Sequence, residues 1–339
     1  EFELPPVELA LTRQVSPTPF VPQDTAARAE RCELILRIQA EGLAKRIEHT
    51  HAKCAVLGIS GGLDSCLALL VAVRACKVLH RDPKEIVALT MPCFGTTKRT
   101  RSNAEILCEA LGVSFAEINI TNTVNSHFAD IGQDPQTYDV TFENCQARVR
   151  TLELMDYANK NGGFVIGTGD LSELALGWAT YNGDHMSMYG VNAGVPKTLV
   201  RHIVQYVADT CGDKQLSDVL LDILDTPVSP ELLPADDNGK IAQKTEDLVG
   251  PYELHDFFLY NMVRIIMGTL VKIGMGVWPP EHVKEILEAR DRKEAGETAP
   301  ARGLTMVGIE YEKEPALTVT GENEHWSYIL DQTELETSK

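Results

Sequence analysis

One short run of residues in the chain is suited to binding phosphate, the run Gly58-Ile59-Ser60-Gly61-Gly62-Leu63-Asp64-Ser65. An apolar stretch over 54–59 predicts a buried strand, and a helical apolar pattern follows over 63–77. The glycines let the backbone approach a phosphate, and the free N–H groups and dipole of a helix N-terminus favour negative charge. The hydroxyls of Ser60 and Ser65 can donate to phosphate oxygens. A carboxylate at Asp64 would repel phosphate unless a divalent cation lies between them, so it is predicted to be a Mg²⁺ ligand.

This loop differs from the two commoner phosphate loops, because it lacks both the lysine and spacing of G-x-x-x-x-G-K-[ST] and the pattern G-x-G-x-x-G. It resembles the S-G-G-x-D-S loop of the ATP pyrophosphatases, which bind the pyrophosphate of ATP and adenylate a carboxylate or a base. The alternative is a plain strand-turn-helix corner, which would need the glycines but neither the serines nor the aspartate.

A second polar stretch, 167–190, follows a predicted strand at 164–166. The carboxyl ends of parallel strands meet at one edge of a sheet, where ligands bind, so Thr168 and Glu173 should lie near the first loop. Glu173 could share Mg²⁺ with Asp64, which requires carboxylates about 4–6 Å apart. It could equally be a carboxylate that stabilises a helix N-terminus. The roles of Asp170, Asp184 and His185 are also left open, because their spacing does not single out any of them as a metal ligand.

Strand-like runs alternate with helical patterns through the first half of the chain. This order predicts an α/β fold, a doubly wound parallel sheet with flanking helices. The predicted strands are 54–59, 86–91, 115–118 and 164–166, and the predicted helices between them are 67–77, 101–111 and 144–159. A further helix is predicted over 25–50, with an apolar stripe of Cys32, Leu34, Ile35, Ile38 and Leu43.

Composition restricts the possible classes of protein. The chain has 339 residues, 44% of them hydrophobic, with a net charge of −18 and a pI of about 4.9. Such an acidic chain is a poor candidate for nonspecific nucleic-acid binding. Its eight cysteines include no C-x-x-C pair, which favours reduced thiols in a cytoplasmic protein. No apolar stretch is long enough to span a membrane.

Longer segments resemble the synthetase domain of glutamine-dependent NAD⁺ synthetases. They are MPCFGTTKRT at 91–100, ENCQARVR at 143–150, GTGDLSELALGWATYNGDHMSMYGVNAGVPKT at 167–198, DTPVSPELLP at 225–234 and TEDLVGPYELHDFFL at 245–259. The resemblance covers about residues 15–259 and implies the ATP pyrophosphatase fold, which is adenine nucleotide alpha hydrolase-like. It also implies a reaction: ATP adenylates deamido-NAD⁺, and ammonia then attacks to give NAD⁺, AMP and pyrophosphate.

The resemblance also implies roles for individual residues. Asp64, Glu173 and Lys197 would be catalytic, and Asp64 and Glu173 would hold Mg²⁺. The residues that would bind ATP are Gly58, Ile59, Ser60, Gly61, Gly62, Leu63, Asp64, Ser65, Thr168, Lys197 and Thr226. Those that would bind deamido-NAD⁺ are Arg148, Glu173, Trp178, Ala179, Thr180 and Tyr181. Without the resemblance, core packing for Trp178 and a surface helix charge for Arg148 would be the simpler interpretations.

Two departures from that family are expected to matter. Its full-length members carry an amidase domain before the synthetase, and this chain begins in what resembles the linker. We therefore expect ammonia from solution or from a separate glutaminase or amidase subunit, and a homodimer without membrane or nucleic-acid partners. The second departure is that 258–311 resembles the C-terminal end of tRNA pseudouridine synthases, and no basic loop that would cover the substrate is recognised.

The predicted organisation is a linker at 1–24, the synthetase domain at 25–258, a helical segment at 259–311 and an acidic tail at 312–339. An apolar stripe is expected to pack 259–290 on the synthetase body. Three alternatives to NAD⁺ synthase stay open: another amidating or thiolating ATP pyrophosphatase, an RNA-modification protein, and an inactive fusion. A thiolase would require paired catalytic cysteines and a basic RNA-binding face.

Overall fold

The computed structural model describes residues 16–95, 98–226, 232–233, 245–289 and 294–296. The predicted linker before residue 16 and the acidic tail at 312–339 lie outside the described residues. The strands are β1 (Ala55–Gly58), β2 (Ile86–Thr90), β3 (Ser114–Glu117), β4 (Phe164–Gly167) and β5 (Tyr189–Gly190). The helices are α1 (Thr25–Thr50), α2 (Leu63–Val78), α3 (Lys98–Leu111), α4 (Thr121–Ile131), α5 (Val140–Asn161), α6 (Leu171–Leu176), α7 (Lys197–Thr210), α8 (Lys214–Leu224), α9 (Thr245–Val249), α10 (Tyr252–Gly274) and α11 (His282–Ala289).

The strands form one parallel sheet in the order β3-β2-β1-β4-β5. This confirms the predicted doubly wound sheet and its four longer strands. The chain runs outward from β1 to β3 and then returns to the other side of β1 with β4. The order of strands therefore reverses between β1 and β4, and ligands of such sheets bind beyond the carboxyl ends at that point.

Both faces of the sheet are covered, as expected for a parallel sheet. Alternate residues of β1 face opposite ways: Ala55 and Leu57 join the larger core, which includes residues of α1, α2, α7 and α8. Val56 joins a smaller cluster with Ala158 of α5. On that second face Phe128 and Phe142 pack with ring centroids 5.5 Å apart. Full burial of each such side chain contributes roughly 1.5–3 kcal/mol.

The helix predicted over 25–50 is confirmed as α1, but part of its predicted apolar stripe is wrong. Leu34 and Ile38 are exposed, whereas the buried side is formed by Cys32, Leu36, Gln39, Ala40, Leu43, Ala44 and Ile47. A polar residue stands on that side because the Gln39 amide donates to the Val191 carbonyl at 2.8 Å and to Asn192 Oδ1 at 3.1 Å. Apolar periodicity alone could not assign Gln39 to the interior.

The chain divides into two compact units, Glu1–Val263 and Arg264–Lys339. The division falls within α10. The helices predicted over 259–290 are confirmed by α10 and α11, whereas the rest of the predicted helical segment, 297–311, lies outside the described residues. The predicted burial of the stripe is wrong in large part: Ile265 is buried, but Phe258, Met262, Ile266 and Leu270 are exposed.

Within the second unit, Lys272 Nζ lies 4.7 Å from the centre of the Trp278 ring, and Trp278 packs on His282. Among the described residues, no single helix has the length and apolar character to cross a membrane. The two halves of α10, Tyr252–Met262 and Ile265–Gly274, meet that test of length and composition only when taken together.

Candidate functional site

The loop between β1 and α2 has a backbone shape that requires glycine. Gly61 has φ of +83°, and a Cβ there would lie 2.1 Å from the carbonyl oxygen of Thr100. The hydroxyls of Ser60 and Ser65 lie 3.2 Å apart, and the Gly62 N–H donates to Ser60 Oγ at 3.1 Å. Gly62 precedes the first turn of α2 and supplies no side-chain cap. A helix N-terminus without a side-chain cap can bind an anion through its N–H groups, which is the role predicted for this loop.

Four charged side chains meet beside this loop. Lys197 Nζ lies 2.6 Å from Asp64 Oδ2, 2.7 Å from Asp170 Oδ2 and 2.9 Å from Glu173 Oε1. The Lys197 side chain is 5% exposed and that of Asp170 is fully buried. Asp64 comes from α2, Asp170 and Glu173 from the start of α6, and Lys197 from the start of α7. One ammonium thus faces three carboxylates in a water-poor setting.

Local chemistry fixes the two acidic residues of α6. The Asp170 side chain accepts the Glu173 N–H at 2.9 Å, and the Glu173 side chain accepts the Asp170 N–H, which together form a capping box. Glu173 thus stabilises the helix N-terminus, which is one of the two interpretations left open by the sequence, and it also reaches the ion cluster. Its role as a Mg²⁺ ligand stays a prediction.

The cluster shifts the pKa values of Glu173, Asp170 and Lys197. Burial raises the pKa of Glu173 to about 8, and the nearby charge of Asp64 adds to the rise. Burial likewise raises the pKa of Asp170 to about 6. Burial opposes the charged form of Lys197, but Asp64, Glu173 and Asp170 outweigh it and hold its pKa well above the usual value. The three neighbouring carboxylates therefore favour the charged form of Lys197.

Asn192 ties the two sides of the site together. Its fully buried amide donates to the Asp64 carbonyl and the Thr168 carbonyl, each at 3.0 Å. Asp64 follows β1 and Thr168 follows β4, so Asn192 links the loops on either side of the reversal in strand order. Gln39 of α1 in turn holds Asn192 Oδ1. Thr168 is thereby confirmed to lie near the first loop.

The carboxylates have a geometry that fits a divalent cation. One oxygen each from Asp64, Asp170 and Glu173 lies within 4.8 Å of the others. This confirms the predicted approach of Asp64 and Glu173. Asp64 Oδ1 is buried and has no hydrogen-bond partner among the described residues. Carboxylate oxygens are the ligands that Mg²⁺ prefers, and an unpartnered one could complete its coordination.

The stretch predicted to contact a dinucleotide lies on the surface after α6. Arg148 Nε of α5 donates to the Tyr181 carbonyl at 3.0 Å, so two predicted contact regions are brought together. The Tyr181 ring is 75% exposed and Trp178 is half-buried. Thr180 donates its hydroxyl to Asp184, which orders the turn that follows. An exposed aromatic ring beside an arginine could stack on a planar group.

Thr226 lies just after the end of α8. Its hydroxyl donates to the Asp222 carbonyl at 2.9 Å, and its described hydrogen bonds remain at the end of α8. The predicted contact between Thr226 and ATP stays a prediction.

Sequence reasoning missed three residues that support the site: Asn192, Tyr252 and Asp256. Tyr252 places its ring 5.3 Å from Lys197 Nζ. Asp256 is fully buried and accepts hydrogen bonds from Ser172 and Thr198. The segment 245–259 resembled a known family, but no spacing rule connects residue 256 with residue 197. Asp170 lies within the polar stretch 167–190, and its role could not be decided from the sequence.

The parallel sheet, its reversal between β1 and β4 and the loop at 58–65 define an ATP pyrophosphatase fold. The model of the NAD synthase family matches residues 35–263. The chain therefore belongs to the NAD synthase family, as its motifs predicted. Residues 254–312 match the model described as tRNA pseudouridine synthase. This confirms the second resemblance, and the two matches overlap over 254–263 within α10.

Curated relatives carry the same family name. A glutamine-dependent NAD(+) synthetase of Mycobacterium leprae is 48% identical over 272 residues, which are 78% of this chain and 40% of the relative. An NH(3)-dependent NAD(+) synthetase of Pelodictyon phaeoclathratiforme is 29% identical over 225 residues, 66% of this chain and 73% of the relative. The chain thus spans about 40% of the length of its glutamine-dependent relatives.

Two solved structures share the fold. The NMN synthetase of Francisella tularensis has a TM-score of 0.57 at 25% identity and covers 68% of this chain and 86% of its own. A glutamine-dependent NAD+ synthetase of Acinetobacter baumannii, in complex with adenosine diphosphate, has a TM-score of 0.53 at 25% identity. The second likeness covers 79% of this chain and 46% of that structure.

Proposed function

We propose that the chain is an NAD⁺ synthase, which uses ATP to adenylate the nicotinate carboxylate of deamido-NAD⁺ and amidates the adenylate with ammonia. One observation carries this proposal. In a chain of the NAD synthase family, a cluster of three carboxylates and one lysine lies beside an S-G-G-x-D-S loop at the carboxyl edge of the sheet. The products would be NAD⁺, AMP and pyrophosphate.

The loop residues Gly58–Ser65 would hold the β- and γ-phosphates of ATP. The amides that open α2 and the hydroxyls of Ser60 and Ser65 would donate to phosphate oxygens. Lys197 would exchange one or more of its carboxylate partners for a phosphate oxygen. Its fixed positive charge would neutralise the pyrophosphate as it leaves, which is electrostatic stabilisation in a buried site.

The residues that would hold Mg²⁺ are Asp64 and Glu173, with Asp170 as a third oxygen donor. When bound there, Mg²⁺ would neutralise the phosphates and orient the α-phosphorus towards the attacking carboxylate. The protein itself would contribute position: Asn192 and the capping box of α6 hold the three carboxylates in place before ATP arrives.

The acid substrate would lie between the loop and the stretch Trp178–Tyr181. The exposed Tyr181 ring and the half-buried Trp178 offer stacking faces, and Arg148 offers a positive charge. This placement supports deamido-NAD⁺, which has two planar bases and a diphosphate.

Ammonia is the nitrogen donor that we propose for this polypeptide. An NH(3)-dependent relative aligns with 66% of the chain, and the family match lies within residues 35–263. Ammonium should support turnover by the purified chain and glutamine should not. Turnover with glutamine, in a preparation shown to lack contaminating glutaminase, would contradict this part of the proposal.

We further propose a cytoplasmic homodimer. Exposed apolar side chains on α5 and α6, namely Leu152, Leu174 and Leu176, support an interface beside the substrate stretch. No disulfide links any two cysteines of the described residues, which supports a reducing compartment. Sedimentation equilibrium at micromolar concentration should give twice the mass of the chain, whereas a single-chain mass would contradict the dimer.

The test of the proposed activity is a turnover assay with ATP, Mg²⁺, ammonium and deamido-NAD⁺, in which NAD⁺ is read by enzymatic cycling. A parallel arm replaces the dinucleotide with nicotinate mononucleotide, because one structural neighbour is an NMN synthetase. Lys197→Met should abolish turnover, and Glu253→Gln, at an exposed position of α10, should retain it. Absence of NAD⁺ in the wild-type reaction would refute the activity, and turnover of the mononucleotide alone would refute the substrate.

A further inference from the structure

A buried carboxylate lies behind the catalytic lysine without touching its ammonium group. Asp256 of α10 is fully buried, and its described contacts include no lysine or arginine. It accepts the Thr198 N–H at 2.9 Å, the Thr198 hydroxyl at 2.5 Å and the Ser172 hydroxyl. A buried carboxylate that lacks a counter-ion is costly unless hydrogen bonds satisfy it, so this set of donors holds Asp256 in one place.

These contacts cap α7, the helix that begins with Lys197. The residue before it, Pro196, gives no side-chain cap. The first N–H groups of the helix instead find acceptors on other elements: the Lys197 N–H donates to Ser172 Oγ at 2.8 Å, and the Thr198 N–H donates to Asp256. The cap of α7 therefore comes from α6 and α10, and it fixes the backbone of Lys197.

A second residue of α10 faces the same lysine. Tyr252 lies four residues before Asp256 and so on the same face of the helix. Its buried ring lies 5.3 Å from Lys197 Nζ, and its hydroxyl has no hydrogen-bond partner among the described residues. One face of α10 thus supports Lys197 in two ways. Asp256 fixes the backbone at the start of α7, and the Tyr252 ring lies beside the Lys197 ammonium group.

We propose that Asp256 is a positioning residue that aligns Lys197 with the phosphate loop by capping α7, with Tyr252 limiting where the ammonium can lie. The consequence for catalysis rests on the proposed role of Lys197 in NAD⁺ synthesis. Removing the cap would let the start of α7 fray and move Nζ away from the phosphates. Misplacement by about 1 Å can cost about 100-fold in rate.

The test compares Asp256→Asn with Glu253→Gln, which removes one negative charge from an exposed position of the same helix. Hydrogen–deuterium exchange is followed in the peptide that begins α7 and in the peptide of β1. In Asp256→Asn, exchange at 197–198 should accelerate while exchange in β1 stays unchanged. The value of kcat should fall about 10- to 100-fold with KM for deamido-NAD⁺ within about twofold. Glu253→Gln should match the wild type in every measurement.

Unchanged exchange at 197–198 would overturn the capping role, and faster exchange with an unchanged kcat would overturn its importance for catalysis. If Asp256→Asn does not fold, Thr198→Val decides, since it removes one donor to Asp256. Thr198→Val should lower kcat and accelerate exchange at 197–198 less than Asp256→Asn does. Thr198→Ser, which keeps the hydroxyl, should restore the kcat and the exchange rate of the wild type. If the wild type shows no synthase turnover, the proposed function fails, while the exchange rates still decide whether Asp256 fixes the start of α7.

Discussion

At the scale of single residues, the central feature is one lysine among three carboxylates. Lys197 compensates only part of their charge, so the site keeps an excess of negative charge that would attract a divalent cation. The same lysine would be needed on the phosphates of ATP. Binding of Mg²⁺ and ATP would therefore replace the contacts between Lys197 and the carboxylates rather than add to them.

Asp64→Asn should separate the chemistry of the site from its stability. Lys197 would keep Asp170 and Glu173 as partners, and one repulsive charge beside Glu173 would be gone. We expect turnover to fall at least about 100-fold while Tm changes by less than about 4 °C, equivalent to about 1 kcal/mol. Asp218→Asn, on the surface of α8, is the control. A large loss of Tm in Asp64→Asn would mean that the ion cluster is structural.

The raised pKa values of Glu173 and Asp170, about 8 and about 6, would make the proposed binding of Mg²⁺ depend on pH. A carboxyl group whose pKa is higher in the folded chain stabilises the fold below its unfolded pKa, and this contribution is lost as pH rises through the folded value. The deprotonated form binds metal. Added Mg²⁺, without ATP, should therefore raise Tm more at about pH 8.5 than at about pH 6. Glu173→Gln should remove most of that difference, and equal shifts in the wild type would contradict the prediction.

At the scale of elements, the strand-turn-helix unit at β1 and α2 depends on one glycine. Gly61→Ala would combine an unfavourable positive φ with a Cβ placed against the Thr100 backbone. Gly62→Ala is a matched control, because φ at Gly62 is −91° and a Cβ would meet only Ser60 Oγ at 3.2 Å. Calorimetry with Mg²⁺ and ATP should show binding by Gly62→Ala and none by Gly61→Ala. Equal affinities would show that the loop can reshape.

Elements with a local signal were predictable from the sequence, and so was the approach of Asp64 and Glu173, because both follow strands that end at the same edge of the sheet. Most other contacts between distant elements were not predictable. The strands β1, β2, β3 and β4 and the loop at 58–65 followed from apolar runs and turn residues. Helices α4, α7 and α8 were not predicted. The ion cluster joins positions 64, 170, 173 and 197, whose distances along the chain correspond to no motif spacing. The error at α1 has the same origin, since Gln39 is buried because of a partner at residue 192.

At the scale of the whole molecule, α10 belongs to both parts of the chain. The two family matches overlap over 254–263, and the two compact units divide at residues 263 and 264. Tyr252 and Asp256 lie before this division. The two residues of α10 proposed to support Lys197 therefore belong to the same unit as Lys197.

The expected loss of a basic covering loop stays a prediction. The affinity for deamido-NAD⁺ should be at least about tenfold weaker than in a full-length relative, measured by calorimetry in the same salt. Equal affinities would contradict it.

Isotopic labelling of the substrate's carboxylate oxygens shows whether the site adenylates that carboxylate. Deamido-NAD⁺ labelled with ¹⁸O in its nicotinate carboxylate is turned over with ATP, Mg²⁺ and ammonium, and the products are analysed by mass spectrometry. If the site adenylates the carboxylate, each AMP formed carries one ¹⁸O from it, pyrophosphate carries none, and NAD⁺ and AMP form in equal amounts. Unlabelled AMP, or the release of ADP and phosphate in place of AMP and pyrophosphate, would contradict adenylation at the loop of Ser60–Ser65.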